Sequence, residues 1–365
     1  MDQLKQQLKE SLRQLTQFCG APSAEHEVVA YLSNALRGLA DEVQVDQMGN
    51  IIATKAGRGQ GPTLMLAAHT DEIACIVKSV ENNGFIRFEK TGLFGDILLP
   101  GRRMKVGGRV GVVGIKPGHL QTEAERREVK PISELYIDIG ASTDEEVFRI
   151  GIKPGTPIYF IGQFVEMLNP DIICSKSIDD RAGCTVLLQL MRELKAEEFA
   201  GKVYATFTVQ EEVGFRGARV VAQRLNPDMA IAIDTIPCGD TPDVSFTKDL
   251  PLRLGGGPAI PVGESAGLID GHLMSQRMRE LLTGTAEKHG IPYQMTVLLG
   301  SYATDATSIH LVHIGIPTGV VAIPRRYSHS PVEMTHIGDS ANAVLLLQAF
   351  ITEMKDFPEK LQFLK

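Results

Sequence analysis

Thr63-Leu64-Met65-Leu66-Ala67-Ala68, followed directly by His69-Thr70-Asp71, is the stretch of sequence that decides the fold. A short apolar run of this kind is typical of a strand that is buried on both faces of a parallel sheet. Such sheets place ligand-binding side chains just beyond the carboxyl ends of their strands. The stretch therefore predicts a central strand of an α/β fold, with His69 and Asp71 at the edge where chemistry takes place.

Helix and strand signals alternate on both sides of a long segment that lacks helical periodicity. The first predicted helix carries a row of leucines on one face: Leu4, Leu8, Leu12 and Leu15. Between Ile73 and Val165 only short β-like runs occur, and Gly and Pro punctuate them. The pattern predicts an α/β domain with a mixed sheet flanked by helices, formed by residues 1–70 and 168–365. A small all-β domain, residues 71–167, is inserted into it.

Composition excludes several classes of protein. The chain has 365 residues, and its net charge of −7 argues against a nucleic-acid binder, which would carry a basic patch. No apolar run approaches the ~20 residues that span a bilayer. The five cysteines include no CxxC pair, which favours free thiols in a reducing compartment. These features predict a soluble cytoplasmic protein that binds neither nucleic acid nor membrane.

Several polar groups follow other predicted strands or open a helix, as His69 follows the first run. They are Asp179, Glu211, Glu212, Asp234 and His329. Two imidazoles and several carboxylates without a thiolate suit a pair of divalent ions such as Zn, Co or Mn. Two ions ~3.5–4 Å apart need one bridging carboxylate and about two terminal ligands each. The set matches that requirement and leaves one glutamate over for a general base.

Each of these groups also has a structural interpretation. A histidine at a strand end is often only a hydrogen-bonded structural residue. Asp179 and Asp180 are well placed to cap a helix, and Glu211 and Glu212 resemble a solvated surface pair. A buried Asp234 is costly without a compensating cation, although a salt bridge would serve as well.

Five motifs in register resemble those of the TET-type di-metal aminopeptidases, the glutamyl and deblocking enzymes also called FrvX-like or cellulase-M-like. The motifs are His69-Thr70-Asp71-Glu72, Ile178-Asp179-Asp180-Arg181-Ala182-Gly183, Gln210-Glu211-Glu212-Val213-Gly214, Ala232-Ile233-Asp234-Thr235 and Tyr327-Ser328-His329-Ser330-Pro331-Val332-Glu333. They extend over nearly the whole chain. The resemblance implies an aminopeptidase that hydrolyses N-terminal residues from short peptides with a free N-terminus.

The resemblance also implies which residues hold two metal ions per subunit, expected to be Zn, Co or Mn. Asp179 would bridge both ions. His69 and Asp234 would complete the ligands of one ion, and Glu212 and His329 those of the other.

Two further residues receive roles in catalysis from the same resemblance. Glu211 would be the general base that accepts a proton as a metal-bridging hydroxide attacks the peptide carbonyl, and would then deliver it to the leaving amine. Asp71 would orient the His69 imidazole.

The family fold matches the division of the chain that its periodicity predicts. It is an α/β peptidase core with an inserted barrel-like or PDZ-like dimerisation domain. Family members form dimers, and these often assemble into hollow tetrahedral dodecamers. The resemblance therefore implies a homo-oligomer, with a dimer as the unit of a dodecamer.

Two other functions remain as alternatives. The first is an endoglucanase-like glycoside hydrolase, which needs two carboxyl groups across a sugar and neither two histidines nor a bridging aspartate. The absence of tryptophan weakens that reading, since sugar platforms usually use aromatic side chains. The second is an assembly protein without catalytic activity.

The preferred N-terminal residue of the substrate is left open by the sequence. A pocket for an acidic residue would need a nearby cation, and Arg325 and Arg326 lie just before His329. Arg326 is equally well explained as part of the general motif.

Overall fold

The computed structural model describes residues 1–267 and 270–363. Its strands are β1 (Glu42–Val45), β2 (Ile51–Ala56), β3 (Thr63–His69), β4 (Ala74–Val80), β5 (Ile86–Thr91), β6 (Arg103–Val106), β7 (Arg109–Val113), β8 (Ile137–Asp138), β9 (Pro157–Phe160), β10 (Val165–Glu166), β11 (Ile172–Ser175), β12 (Lys202–Thr208), β13 (Met229–Pro237), β14 (Ala259–Ser265), β15 (Gly271–Leu273), β16 (Gln294–Leu298), β17 (Thr318–Arg326) and β18 (Glu333–His336). Its α-helices are α1 (Asp2–Leu15), α2 (His26–Ala35), α3 (Asp144–Arg149), α4 (Ile178–Glu193), α5 (Arg216–Leu225), α6 (Gln276–Lys288), α7 (Ala306–Ile309), α8 (Ile337–Glu353) and α9 (Phe357–Lys360).

The large sheet is mixed and has the strand order β1-β2-β12-β3-β13-β17-β18-β11-β10, with β14, β15 and β16 attached beside β17. Its centre consists of four parallel strands, β12, β3, β13 and β17. Strands β18 and β11 continue the sheet in antiparallel pairing. The predicted central strand is thus β3, and its carboxyl end shares one edge of the sheet with its three parallel neighbours.

Helices cover β3 from both sides, as the apolar run predicts. Leu64 and Leu66 belong to the main core with residues of α1, α4 and α8. Met65 and Ala67 face the opposite side, where they pack with residues of α5 and α7. Because alternate residues of a strand point to opposite faces, only an uninterrupted apolar run can fill both layers.

The segment between β3 and β11 forms a closed barrel with the strand order β4-β5-β8-β7-β6-β9. It has an apolar core of its own, which includes Ile86, Met104, Val106 and Ile158. The predicted fold class, an α/β core with an inserted barrel, is confirmed. The barrel strands run from Ala74 to Phe160, and β10 already pairs with β11 in the large sheet. The boundaries at 71 and 167 stay a prediction.

Among the described residues, none of the helices combines the length and the apolar character needed to cross a lipid bilayer.

Candidate metal centre

The parallel strands bring the predicted site residues to one edge of the sheet. His69 is the last residue of β3 and pairs in register with Thr208, the last residue of β12. Glu211 follows shortly after β12. On the other side of β3, Asp234 lies in β13 opposite Ala322 of β17. All seven residues predicted for the site lie together here: His69, Asp71, Asp179, Glu211, Glu212, Asp234 and His329.

Asp179 lies between the two imidazoles. Its Oδ1 is 3.1 Å from Nε2 of His69, and its Oδ2 is 3.1 Å from Nε2 of His329. It can face both rings because residues 179 and 180 do not have helical backbone angles, although they lie within the first turn of α4. A carboxylate with one oxygen toward each histidine is the arrangement that a bridging ligand requires.

Two groups of three possible ligands lie at this site, and Asp179 belongs to one of them. Asp179, Glu212 and His329 form one group, and His69, Asp180 and Asp234 form the other, each with ligand atoms within 4.8 Å of one another. Asp180 was not among the predicted ligands. Its oxygens already accept hydrogen bonds from the backbone N–H groups of Gly183, at 2.8 Å, and His69, at 3.3 Å. Asp180 therefore fixes the backbone at Gly183 and His69.

Asp71 lies beneath the site and binds the turn that carries the two glutamates. Its carboxylate accepts the backbone N–H groups of Glu211 and Glu212, both at 3.0 Å. Its Oδ1 lies 3.6 Å from Nδ1 of His69, which is beyond hydrogen-bond distance. The role of Asp71 in orienting that imidazole stays a prediction, whereas its contact with the glutamate turn is direct.

The barrel contributes to the orientation of His329. The Nδ1–H of His329 donates to the backbone carbonyl of Leu93, which follows β5. Because Nδ1 faces this carbonyl, Nε2 is the ring nitrogen that faces Asp179. One histidine of the site is therefore held by a peptide group from the inserted module.

Sequence reasoning missed an arginine and a glutamate that hold Asp179 and His329 in place. Nη2 of Arg325 lies 2.6 Å from Oδ2 of Asp179, and Nη1 of Arg325 donates to Glu333. Glu333 also accepts the backbone N–H of Asp179 at 3.0 Å and that of His329 at 2.9 Å. Both side chains are buried. Two features of the sequence could have indicated these residues: Arg325 lies at the end of the apolar β17 run, and Glu333 ends the last motif.

Burial and mutual repulsion favour the neutral forms of several carboxylates. Burial raises the pKa of Glu212 to about 7, and burial with the nearby Asp179 and Asp180 raises the pKa of Asp234 well above its usual range. Burial likewise raises the pKa of Glu211 well above its usual range. A bound cation would lower these pKa values and favour the ionised carboxylates, as it does in metal sites generally.

Asp179 and His329 behave in the opposite way. Burial would raise the pKa of Asp179, but Arg325 and the two imidazoles hold it well below its usual range. Burial would lower the pKa of His329, yet Glu212 and Asp179 raise it to about 9. The Asp179 carboxylate is thus ionised and available as a ligand at neutral pH.

A buried ion pair connects two of the turns that carry site residues. Nζ of Lys176 lies 2.8 Å from Oε2 of Glu72, and it also donates to the carbonyl of Phe18 at 3.0 Å. Glu72 follows the His69–Asp71 turn, and Lys176 precedes Asp179. Both side chains are buried. The pair therefore fixes one turn relative to the other.

Lys176→Met is expected to lower the free energy of unfolding by about 3–5 kcal/mol, because it leaves the Glu72 carboxylate buried without its closest cation. Urea unfolding followed by circular dichroism measures the loss. Lys195→Met is the matched control: Lys195 pairs with Glu198 at the surface, so its removal should change stability by less than about 0.5 kcal/mol. Equal losses in the two variants would contradict the role of the buried pair.

A cavity of about 640 Å³ opens over the site. The predicted ligands and Glu211 lie along one wall. The barrel contributes Lys90, Gly92 and Leu93, and the segment 300–303 lies on the lining as well. The cavity is large enough for a few residues of an extended peptide.

Comparison with known proteins connects this geometry to a family. The model of the family described as M42 glutamyl aminopeptidase matches residues 49–346. A protein of Acetivibrio thermocellus is 37% identical over 336 residues, which cover 92% of this chain and 96% of that protein. The lysyl aminopeptidase of Pyrococcus furiosus is 31% identical, with 95% of this chain and 97% of the relative covered.

Solved structures agree over the whole length. Aminopeptidase APDkam598 from Desulfurococcus kamchatkensis superposes with a TM-score of 0.91 at 35% identity, covering 99% of this chain and 98% of its own. The TET1 peptidase of Pyrococcus horikoshii, which can assemble into a tetrahedron or a large octahedral shell, superposes with a TM-score of 0.83 at 32% identity. That match covers 95% of this chain and 99% of the other.

Proposed function

The chain belongs to the M42 glutamyl aminopeptidase family and is an enzyme that hydrolyses peptide bonds, and from that premise we propose that it removes N-terminal residues from short peptides by di-metal catalysis with Glu211 as general base. The observation that carries the proposal is Asp179, which presents one carboxylate oxygen to each imidazole at 3.1 Å. A hydrogen-bonded structural cluster would not need a carboxylate shared between two histidines amid further buried acids.

The residues present fit two divalent cations. His69, Asp179 and Asp234 would hold one ion, and Asp179, Glu212 and His329 the other. Oε1 of Glu212 is buried without a hydrogen-bond partner, and Oδ1 of Asp234 lies 3.9 Å from Nε2 of His69. Nitrogen and oxygen ligands without a thiolate suit Zn, Co or Mn. When bound, such ions would acidify a water molecule and polarise the scissile carbonyl.

The position of Glu211 supports its proposed role in moving the proton that hydrolysis requires. Its Oε2 lies 3.9 Å from Nε2 of His69, and its backbone N–H is fixed by Asp71. Glu211 is buried at the cavity wall, where its carboxylate accepts a proton from the attacking water and then donates it to the departing amine. The buried Arg325 keeps Asp179 ionised throughout.

Chelation gives the direct test of this function. Protein loaded with Zn, Co or Mn is expected to release N-terminal amino acids from a mixed peptide pool. Treatment with a chelator should abolish the release, and added metal should restore it. Amino-acid analysis over time measures both steps. Release that resists the chelator would contradict di-metal catalysis.

We also propose that the barrel module, residues 71–167, carries a dimer interface and that dimers assemble further. The Pyrococcus horikoshii relative can assemble into a tetrahedron or a large octahedral shell. Apolar side chains on the outside of this module support the proposal: Ile97, Val110, Val112 and Ile115 are exposed. Light scattering tests it, and a mass near that of one chain, 39.7 kDa, at working concentration would contradict it.

The two alternative functions are not favoured. The family model and the lysyl and glutamyl aminopeptidases among the sequence relatives point to peptide hydrolysis, whereas the name endoglucanase occurs on a solved structure that is 28% identical. A catalytically silent assembly protein would be supported only if a folded, metal-loaded sample released no amino acids from the peptide pool.

A further inference from the structure

The charged groups around the cavity are already engaged, and this bears on which peptides the site accepts. Apart from the predicted ligands and Glu211, the described residues that line it include two with charged side chains, Lys90 and Arg325. Nζ of Lys90 donates to the carbonyl of Phe94 at 2.8 Å and to Asp96 at 2.7 Å. Arg325 is buried between Asp179 and Glu333. Neither cation is free to bind a carboxylate of the substrate.

Arg326, the other candidate from the sequence, is engaged as well. Its Nε and Nη2 each lie 2.8 Å from an oxygen of Asp240, in a two-point pair. Arg326 is not among the residues that line the cavity. The arginines before His329 therefore do not form a pocket for a glutamate or aspartate side chain.

The cavity also lacks a free carboxylate for a basic first residue of the substrate, among the described residues that line it and are not assigned to the metal site or to Glu211. Two further acids, Glu264 and Asp305, are buried, are not among the lining residues, and each binds a threonine. Oε1 of Glu264 accepts the hydroxyl of Thr304 at 2.7 Å, and Oδ2 of Asp305 accepts that of Thr208 at 2.6 Å. Among the described lining residues, an ammonium group in the cavity would meet only the carboxylates of the proposed metal ligands and of Glu211, the proposed general base.

The rest of the described lining is apolar or small. Val213 and Phe215 come directly after the glutamates, and Tyr302 and Ala303 lie on the segment that follows Ser301. The backbone N–H of Phe215 donates to the carbonyl of Glu211 at 2.9 Å, so Phe215 lies one turn from the general base. Tyr302 is held by a backbone hydrogen bond of 3.1 Å to Ser265. Val213, Phe215, Ala303 and the ring of Tyr302 form an apolar wall beside the reacting groups, and the one polar group on it is the Tyr302 hydroxyl, which is buried without a hydrogen-bond partner.

We propose that this apolar wall selects peptides whose first residue is apolar, of the leucine, methionine or phenylalanine type. The inference rests on the proposed aminopeptidase function and names its substrate class. An apolar side chain gains free energy when it leaves water for this wall, whereas a carboxylate or ammonium would be desolvated without a partner. The polar contacts of the substrate would then be limited to its amine and first carbonyl, at the end that faces the proposed metal ligands.

Hydrolysis of a series of aminoacyl-coumarin amides by the metal-loaded full chain tests the inference. The value of kcat/KM for the Leu or Phe compound should exceed that for Glu and Lys by about 100-fold or more. If Glu or Lys compounds are cleaved best, the apolar preference is wrong and the aminopeptidase function stands. If none of the series and no peptide pool is cleaved, the proposed function itself fails.

Two variants locate the preference on the wall. Phe215→Ala should lower kcat/KM about 10-fold or more for Leu and Phe compounds but little for the Ala compound, and Phe215→Leu should retain most of the activity. Ser301→Arg, at an exposed position of the lining, should raise the ratio of Glu to Leu hydrolysis about 10-fold by supplying a free cation. An equal loss on Ala and Leu compounds in Phe215→Ala, or an unchanged ratio in Ser301→Arg, would overturn the assignment of the wall.

Discussion

Glu211→Gln is expected to lower kcat by about 10²–10⁴-fold while the protein keeps two metal ions per subunit. Glutamine has nearly the same shape as glutamate, but it cannot accept a proton from the attacking water. The backbone hydrogen bond from residue 211 to Asp71 remains, so the turn should keep its position. Turnover of a peptide substrate, together with metal analysis of the same sample, measures the effect.

Glu212→Gln is the matched comparison for this experiment, because the two glutamates are adjacent and both N–H groups bind Asp71. Glu212 lies beside His329, with Oε1 3.7 Å from Nε2, and is proposed as a ligand. Its variant should lose metal as well as turnover. If Glu211→Gln retains wild-type turnover, or if it loses metal as Glu212→Gln does, Glu211 is not the general base.

The parts of the site that the sequence predicts are those that follow from local pattern. The run ending at Ala68 identifies a doubly covered strand, and the parallel topology then requires residues at neighbouring strand ends to meet. His69 and Glu211 come together for this reason, through the register of β3 and β12. The five motifs then indicate the family, at positions where the periodicity already predicts strand ends and a helix start.

The parts that the sequence does not predict depend on contacts between distant segments. No local pattern indicates that the carbonyl of Leu93 receives the Nδ1–H of His329, 236 residues away in the chain. The same holds for the ion pair of Arg325 with Asp179. The two residues are 146 positions apart in the chain, yet Nη2 of Arg325 lies 2.6 Å from Oδ2 of Asp179. In the sequence Arg325 was a candidate for binding an acidic substrate, because its contact with the distant Asp179 is visible only in the folded structure.

Asp179→Asn should remove both metal ions and lower turnover by about 10³-fold or more, since it replaces the only carboxylate that faces both imidazoles among the described residues. Metal analysis distinguishes this from the loss of a terminal ligand: His329→Ala should retain one ion, whereas Asp179→Asn should retain none. The pair of Arg325 with Glu333 persists in the variant, so a thermal unfolding curve should still report a folded protein.

Asp180→Asn is the control that decides which aspartate bridges. Asp180 is as deeply buried, lies next in the chain, and falls within ligand distance of His69 and Asp234. Its oxygens are engaged by the N–H groups of Gly183 and His69, and an asparagine oxygen can still accept one of them. Asp180→Asn should therefore keep two ions. If it loses both while Asp179→Asn keeps them, the bridge belongs to Asp180. In that case the contact of Asp179 with the two imidazoles is only a hydrogen-bonding contact.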